Sequence, residues 1–244
     1  MSEMTAQIGS TIDGLSREFD IITHNLANAS TVGYKRRCNA FSKSLMAQEE
    51  ILKAGTSGGE ADLYTNFDFS QGSFIETGRS LDFALCGKGF FVIETPDGPL
   101  YARNGMFRLN QNGQIVDSAG RIVAGESGPI SIPPDAGPSQ INVSSEGSIS
   151  AAGVPVGKFK LVDFKDNESK LVAVGLNCFQ APKEMEPELP ENLIVKQGFQ
   201  ENSNVQLVEE LVDMIMVSRL YEANMKFMAV GKDISKSLIG VAMG

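Results

Sequence analysis

The chain has 244 residues, 42 % of them hydrophobic, with 21 basic and 30 acidic side chains for a net charge of −9. That apolar share supports one large core or two small ones and excludes global disorder. The acidic balance argues against nucleic-acid binding, which needs a basic face, and no run reaches the ~18 apolar residues of a membrane span.

At the start, Met4, Ile8, Ile12, Leu15, Phe19, Ile22 and Leu26 recur at steps of four and three, with Gln7, Ser10, Asp13, Arg17, Asp20 and Thr23 between them. This spacing predicts an amphipathic helix. Glu3 and Asp13 interrupt any apolar run, so no cleaved secretory signal is expected. The chain is then either cytoplasmic or exported by a route without one. His24, the only histidine, sits at the helix end among Asn and Thr, where a capping or solvent role outweighs a catalytic one. Residues 25–35 (Asn25, Asn28, Thr31, Gly33) read as a hydrogen-bonded helix exit, on residues alone an ordinary C-cap. Lys35-Arg36-Arg37 reads as a solvated turn.

Residues 41–52 predict a short helix, 55–59 a flexible glycine-rich link, and 63–78 an extended arm or strand with alternating aromatics. The middle is β. Apolar runs at 90–93, 100–103, 106–109, 115–116 and 122–124 are separated by turn glycines at 98, 105, 113 and 120. A spacing of seven or eight residues predicts short antiparallel strands in a meander. After a proline-rich bend (Pro129, Pro133, Pro134, Pro138), further strands are expected at 141–143, 148–150, 158–164 and 170–174. Residues 182–190 form an exposed Glu/Pro connector. Cys38, Cys86 and Cys178 lack metal or redox spacing, and the last two read as small core residues.

Residues 204–241 predict a helix roughly 50 Å long at 1.5 Å per residue. It carries two seams. One is Leu207, Leu211, Met214, Ser218, Tyr221, Met225 and Met228; the other runs Val208, Val212, Met216, Leu220, Ala223, Phe227, Val230, Ile234, Leu238 and Val241. The seams start one residue apart and so lie roughly 100° apart around the axis. Two stripes need more than one neighbour. The plain alternative is a long core helix of a globular protein; the other is a helix that packs with further copies.

Catalytic signals are scarce. There is no P-loop, GxSxG elbow or HExxH motif, and Gly87-Lys88-Gly89 precedes a strand, where a dinucleotide fingerprint must open a helix. Glu209 and Glu210 read as a solvated helix face. Asp82 with Asp97 is a carboxylate pair that nothing raises above chance, and the sequons at Asn28 and Asn142 are common by accident.

Three separated stretches carry a family resemblance. Asn25-Leu26-Ala27-Asn28 with Thr31, Gly33, Tyr34 and Lys35 resembles the N-terminal motif of the bacterial flagellar rod and hook proteins. Ser203-Asn204-Val205, Glu209-Glu210-Leu211, Met214-Ile215, Arg219 and Tyr221-Glu222-Ala223-Asn224 resemble that family's C-terminal signature. Leu81-Asp82-Phe83-Ala84, Gly87-Lys88-Gly89-Phe90-Phe91, Tyr101-Ala102-Arg103-Asn104-Gly105 and Phe107 are similar to the first β segment of the rod proteins. Asn202 and Ser218 depart from the family's usual Gly and Gln. The length, residues 125–130 and residues 141–150 look most like the rod subunits, the proximal one adjoining the distal rod first and the distal one second.

The residues and the resemblance together give an α+β expectation. Long N- and C-terminal helices form a coiled-coil-like assembly domain (1–35 and 200–244), 36–75 is a linker or extended arm, and 76–199 is an inserted antiparallel, meander or barrel-like β domain. The resemblance implies a structural rod subunit of the flagellar basal body, exported by the flagellar type III apparatus without a cleaved signal. No enzyme activity, cofactor, metal or catalytic residue is expected. Expected partners are copies of itself, other axial proteins and the export apparatus. The expected interface is Ile8, Ile12, Leu15, Phe19, Ile22, Asn25, Leu26 and Asn28 with Leu207, Leu211, Met214, Leu220, Tyr221, Met225, Phe227, Met228, Ile234 and Leu238. The alternatives are a distal rod or short hook-type protein, a ligand-binding or enzymatic module on the β domain, and a chaperone- or adhesin-like module.

Overall fold

The computed structural model describes residues 2–38 and 66–243, with side chains described except at 2–7, 166 and 232–243. The expected helix at 41–52 and link at 55–59 lie outside the described residues. An N-terminal helix, α1 (Ser2–Ala27), precedes a mostly β segment and a C-terminal helix, α2 (Leu207–Met243). Two compact units result. One comprises Met1–Asn28, Arg37–Asn66 and Val205–Gly244; the other comprises Ala29–Arg36 and Phe67–Asn204.

The second unit is organised on the strand Phe90–Thr95, whose unbroken apolar start, Phe90-Phe91-Val92-Ile93, is buried on both faces. Successive side chains of a strand point to opposite sides. Phe91 and Ile93 therefore join one core with Phe83, Phe107 and Phe159, while Phe90 and Val92 join another with Tyr101, Phe164 and Phe179. Phe159 meets Phe83 and Phe91 edge-on, with ring centroids 5.1 and 5.5 Å apart. Edge-to-face contacts of this kind suit the aromatic quadrupole.

The main sheet has nine strands and forms a half-barrel. Its path runs Val172–Gly175, Cys178–Gln180, Gly98–Ala102, Phe90–Thr95, Ile122–Gly125, Ile115–Val116, Arg108–Leu109, with Gly128–Pro129 and Leu161–Val162 added at its side. This departs from a simple meander, because Leu161–Val162 and Cys178–Gln180 return to pair with Phe90–Thr95 and Gly98–Ala102. The expected strand at 158–164 also divides differently. Ala152 and Gly153, at φ 50° and 81°, make a two-residue turn, so Val154–Lys158 folds back onto Ser148–Ala151. Pro155 is tolerated there because the register shifts beside it and the strand lies at the sheet edge.

Gly105 marks one of the two closest approaches in this unit, the other being Gly72 against the Asn202 carbonyl. A Cβ on Gly105 would lie 2.0 Å from the Phe83 carbonyl oxygen, against backbone that cannot swing away. Gly105→Ala is therefore expected to destabilise this unit by about 3 kcal/mol, as overpacked cores do. Gly137→Ala, whose Cβ meets nothing within 4 Å, is the matched control and should melt like the parent. Equal melting temperatures for both variants would refute this close approach.

Candidate assembly surface

In the first unit, α1 and α2 are held together by a short apolar seam. Leu15, Ile22 and Val217 are buried, with Leu26 and Met214 packed against them. Above that seam the contact is polar. Asn25, fully buried, donates through Nδ2 to the Arg37 carbonyl at 2.9 Å and lies 3.3 Å from both carboxylate oxygens of Glu210. Its Oδ1 accepts the Arg37 amide at 2.9 Å. Two sequence readings are corrected here. Asn25 is a buried clasp between chain segments, which a simple C-cap is not. Glu210 has no exposed surface, although Glu209 beside it is exposed. The signal for Glu210 was its position, since Glu210, Met214 and Val217 recur at four and three on one face. A buried carboxylate keeps its place through its donors. Asn25→Ala is expected to destabilise the helix pair by roughly 1–3 kcal/mol. Faster amide exchange across Leu15–Ile22 would show this, and unchanged exchange would refute it.

The other interface candidates fall as follows. Ile8, Ile12, Leu26, Asn28, Met214 and Met228 are half-buried, and Asn28 Nδ2 donates to the His24 carbonyl at 2.9 Å. Burial, then Arg37, lowers the His24 pKa. Phe19, Leu207, Tyr221 and Met225 are exposed, as are Leu211 at 45 %, Leu220 at 54 % and Phe227 at 70 %. The side chains of Ile234 and Leu238 lie outside the described residues. At about 100° per residue, the α2 face turned to α1 runs through Glu210, Met214 and Val217. The seam from Leu207 to Met228 shares Met214 with that face and, through Ser218 and Tyr221, lines a groove of about 300 Å³ together with Leu15, Ser16, Phe19, Val217 and Glu222. The seam from Val208 to Val230 lies on the side of α2 away from that groove. Among the described residues, nothing covers it.

The β unit is closed by a separate polar cluster. Lys35, fully buried, donates through Nζ to Glu201 at 2.8 Å and to the Ser70 carbonyl at 2.7 Å. Arg103 donates through Nε to the other Glu201 oxygen at 3.0 Å and through its remaining nitrogens to the carbonyls of Leu85, Gly87 and Gly89. The Gly72 amide completes the carboxylate shell at 3.0 Å. Lys35 is thus not part of a solvated turn. Its pKa is pushed down by burial, with the Glu201 charge acting against that. This cluster ties the strand before α2 to the segment after α1, within one unit. Asp82 is likewise buried, accepting from Thr77 and Gln200 at 2.7 Å, and Cys178 packs in the core, where Arg121 reaches its sulfur.

Among the described residues, no cluster of His, Cys, Asp and Glu suits a metal ion, and no helix is long and apolar enough to cross a membrane. What the chain offers is surface: a helix pair with apolar faces left open, and a separate β unit that is closed. That is the class of a structural subunit completed by other chains. Family models agree on its kind. The flagellar hook protein FlgE/F/G D1 domain matches residues 84–151, the flagellar basal body rod FlgEFG protein C-terminal matches 196–241, and the flagella basal body rod protein matches 10–35. The flagellar basal-body rod protein FlgG of Buchnera aphidicola subsp. Acyrthosiphon pisum is 34 % identical over 254 residues, covering 93 % of this chain and 95 % of that one. FlgF of Caulobacter vibrioides is 33 % identical over 233 residues, covering 92 % and 91 %. FlgG of Bacillus subtilis is 28 % identical, covering 98 % and 99 %. The chain belongs to the flagellar basal-body rod protein family. It is a structural protein of the flagellar basal body, not an enzyme.

Proposed function

We propose that this rod subunit joins copies of itself and other axial proteins through α1 and α2. The observation that carries this is the uncovered apolar surface on both sides of α2. Contiguous apolar surface of that extent marks an interaction site. Contacts between unlike surfaces that do not close generate a filament. In this reading residues 1–35 and 200–244 are the assembly domain, supercoiled with those of neighbouring subunits. Residues 76–199 form the outer β domain, with 36–75 as the link. The chain reaches the periplasm through the flagellar export apparatus. Its place is on the proximal side of the distal rod, a choice supported by the sequence of residues 125–130 and 141–150.

Antibody labelling along isolated basal bodies tests this. The label is expected on the rod, below its distal segment. Recovery of the chain only from soluble fractions, or label confined to the hook, would overturn the proposal.

A further inference from the structure

The two open sides of the helix pair differ in shape and charge, and this specifies how one copy meets the next. One side is concave, the groove whose floor is Leu15 and Val217 and whose walls are Phe19 and Tyr221. The other is a convex stripe on α2 that includes Val212, Met216, Leu220 and Phe227, all exposed. A convex apolar stripe cannot pack on a copy of itself as well as it fills a groove, because shape complementarity at an interface core matches that of protein interiors.

Charge adds the direction. The groove's α2 wall carries an exposed carboxylate, Glu222. One border of the stripe carries two exposed cations, Arg219 and Lys226. None of the three has an ion-pair partner among the described residues. Arg219 and Lys226 are seven residues apart, about 10.5 Å along the axis, which leaves room for one carboxylate between them. At about 100° per residue, a second copy aligned in the same direction, with its stripe over the groove, brings its basic border above the α2 wall and not above α1. That is the wall on which Glu222 stands.

We propose that the convex stripe of α2 in one copy seats in the α1–α2 groove of a second, parallel copy, with Glu222 of the groove between Arg219 and Lys226 of the stripe. This rests on the reading of the chain as a self-assembling subunit. The contact is heterologous, so each copy keeps one groove and one stripe open for the next.

The test is complementation between full-length chains in cells, read as incorporation into basal bodies. One chain carries Arg219→Glu with Lys226→Glu; the other carries Glu222→Lys. Each alone sets like charges against each other at every contact, and incorporation is expected to fall at least about tenfold. Produced together, each chain's stripe meets the other's groove with opposite charges, and incorporation is expected to return. Restoration in trans cannot come from ion pairs within one helix, since each variant keeps its own sequence. Normal incorporation of either chain alone would overturn the proposal. So would failure of the pair when each variant's helix content matches the parent. Assembly of the parent chain and its block by a charge buried elsewhere on the helices test the broader reading separately.

Discussion

Glu201→Ala is expected to be the most damaging single substitution in the β unit. Glu201 is 1 % exposed and accepts from Lys35, Arg103 and the Gly72 amide. Removing one partner of a buried ion cluster leaves the others charged without compensation, at a cost of about 3–5 kcal/mol. Here two cations are left. For a unit of this size that corresponds to a melting temperature lower by roughly 10 °C or more. The contrast is Glu126→Ala, which breaks the exposed Lys158–Glu126 pair, 2.8 Å long. Exposed pairs contribute about 0–1 kcal/mol, so that variant should melt close to the parent. The measurement is thermal unfolding followed by β-sheet circular dichroism. Similar melting of the two variants would mean that the cluster around Glu201 does not close the unit.

Leu211→Asp is expected to abolish assembly while leaving the β unit folded. Leu211 stands in the seam beside the groove and keeps 45 % of its surface exposed in the single chain. A carboxylate there faces water in the monomer and disturbs only helix propensity, by about 0.5 kcal/mol. In the rod it would be buried without a partner, which costs several kcal/mol unless it protonates. The substitution therefore discriminates between assembly and folding. Incorporation into basal bodies should be lost, with the β-sheet signal and its melting unchanged. Normal incorporation would show that Leu211 does not face a packed interface. Loss of the β signal would show that α2 belongs to one core with the sheet.

The parts of this molecule legible in its sequence are those set by local spacing. Steps of three and four gave α1 and α2, and the turn glycine at 98 placed the hairpin of Phe90–Thr95 with Gly98–Ala102. Tertiary placement of polar side chains was not legible. Lys35 finds Glu201 across 166 residues and Asn25 finds Glu210 across 185, and neither interval leaves a local pattern. A lysine followed by two arginines has the composition of a solvated turn, and only the fold shows that the first is buried. The short strand Val154–Lys158 was hidden for a different reason. Pro155 and Gly157 argue against a strand by propensity, yet the turn at Ala152 and Gly153 sets the pairing regardless. On α2 the two seams were visible, but the face packed on α1 takes Met214 from the first seam and adds Val217 and a carboxylate, Glu210, that apolar periodicity passes over.

Solvent access to the α2 methionines tests the central claim most directly. Met225 lies in the groove-side seam and Met216 in the stripe, 43 % and 55 % exposed in the single chain. Thioether oxidation follows exposure, so both should oxidise readily in the purified monomer. Half-buried Met185, packed on the second core of the β unit, serves as the internal reference. If α1 and α2 form the assembly surface, oxidation of Met216 and Met225 should be strongly slowed in isolated basal bodies while that of Met185 changes little. Equal oxidation of Met216 and Met225 in the free chain and in the rod would contradict the account.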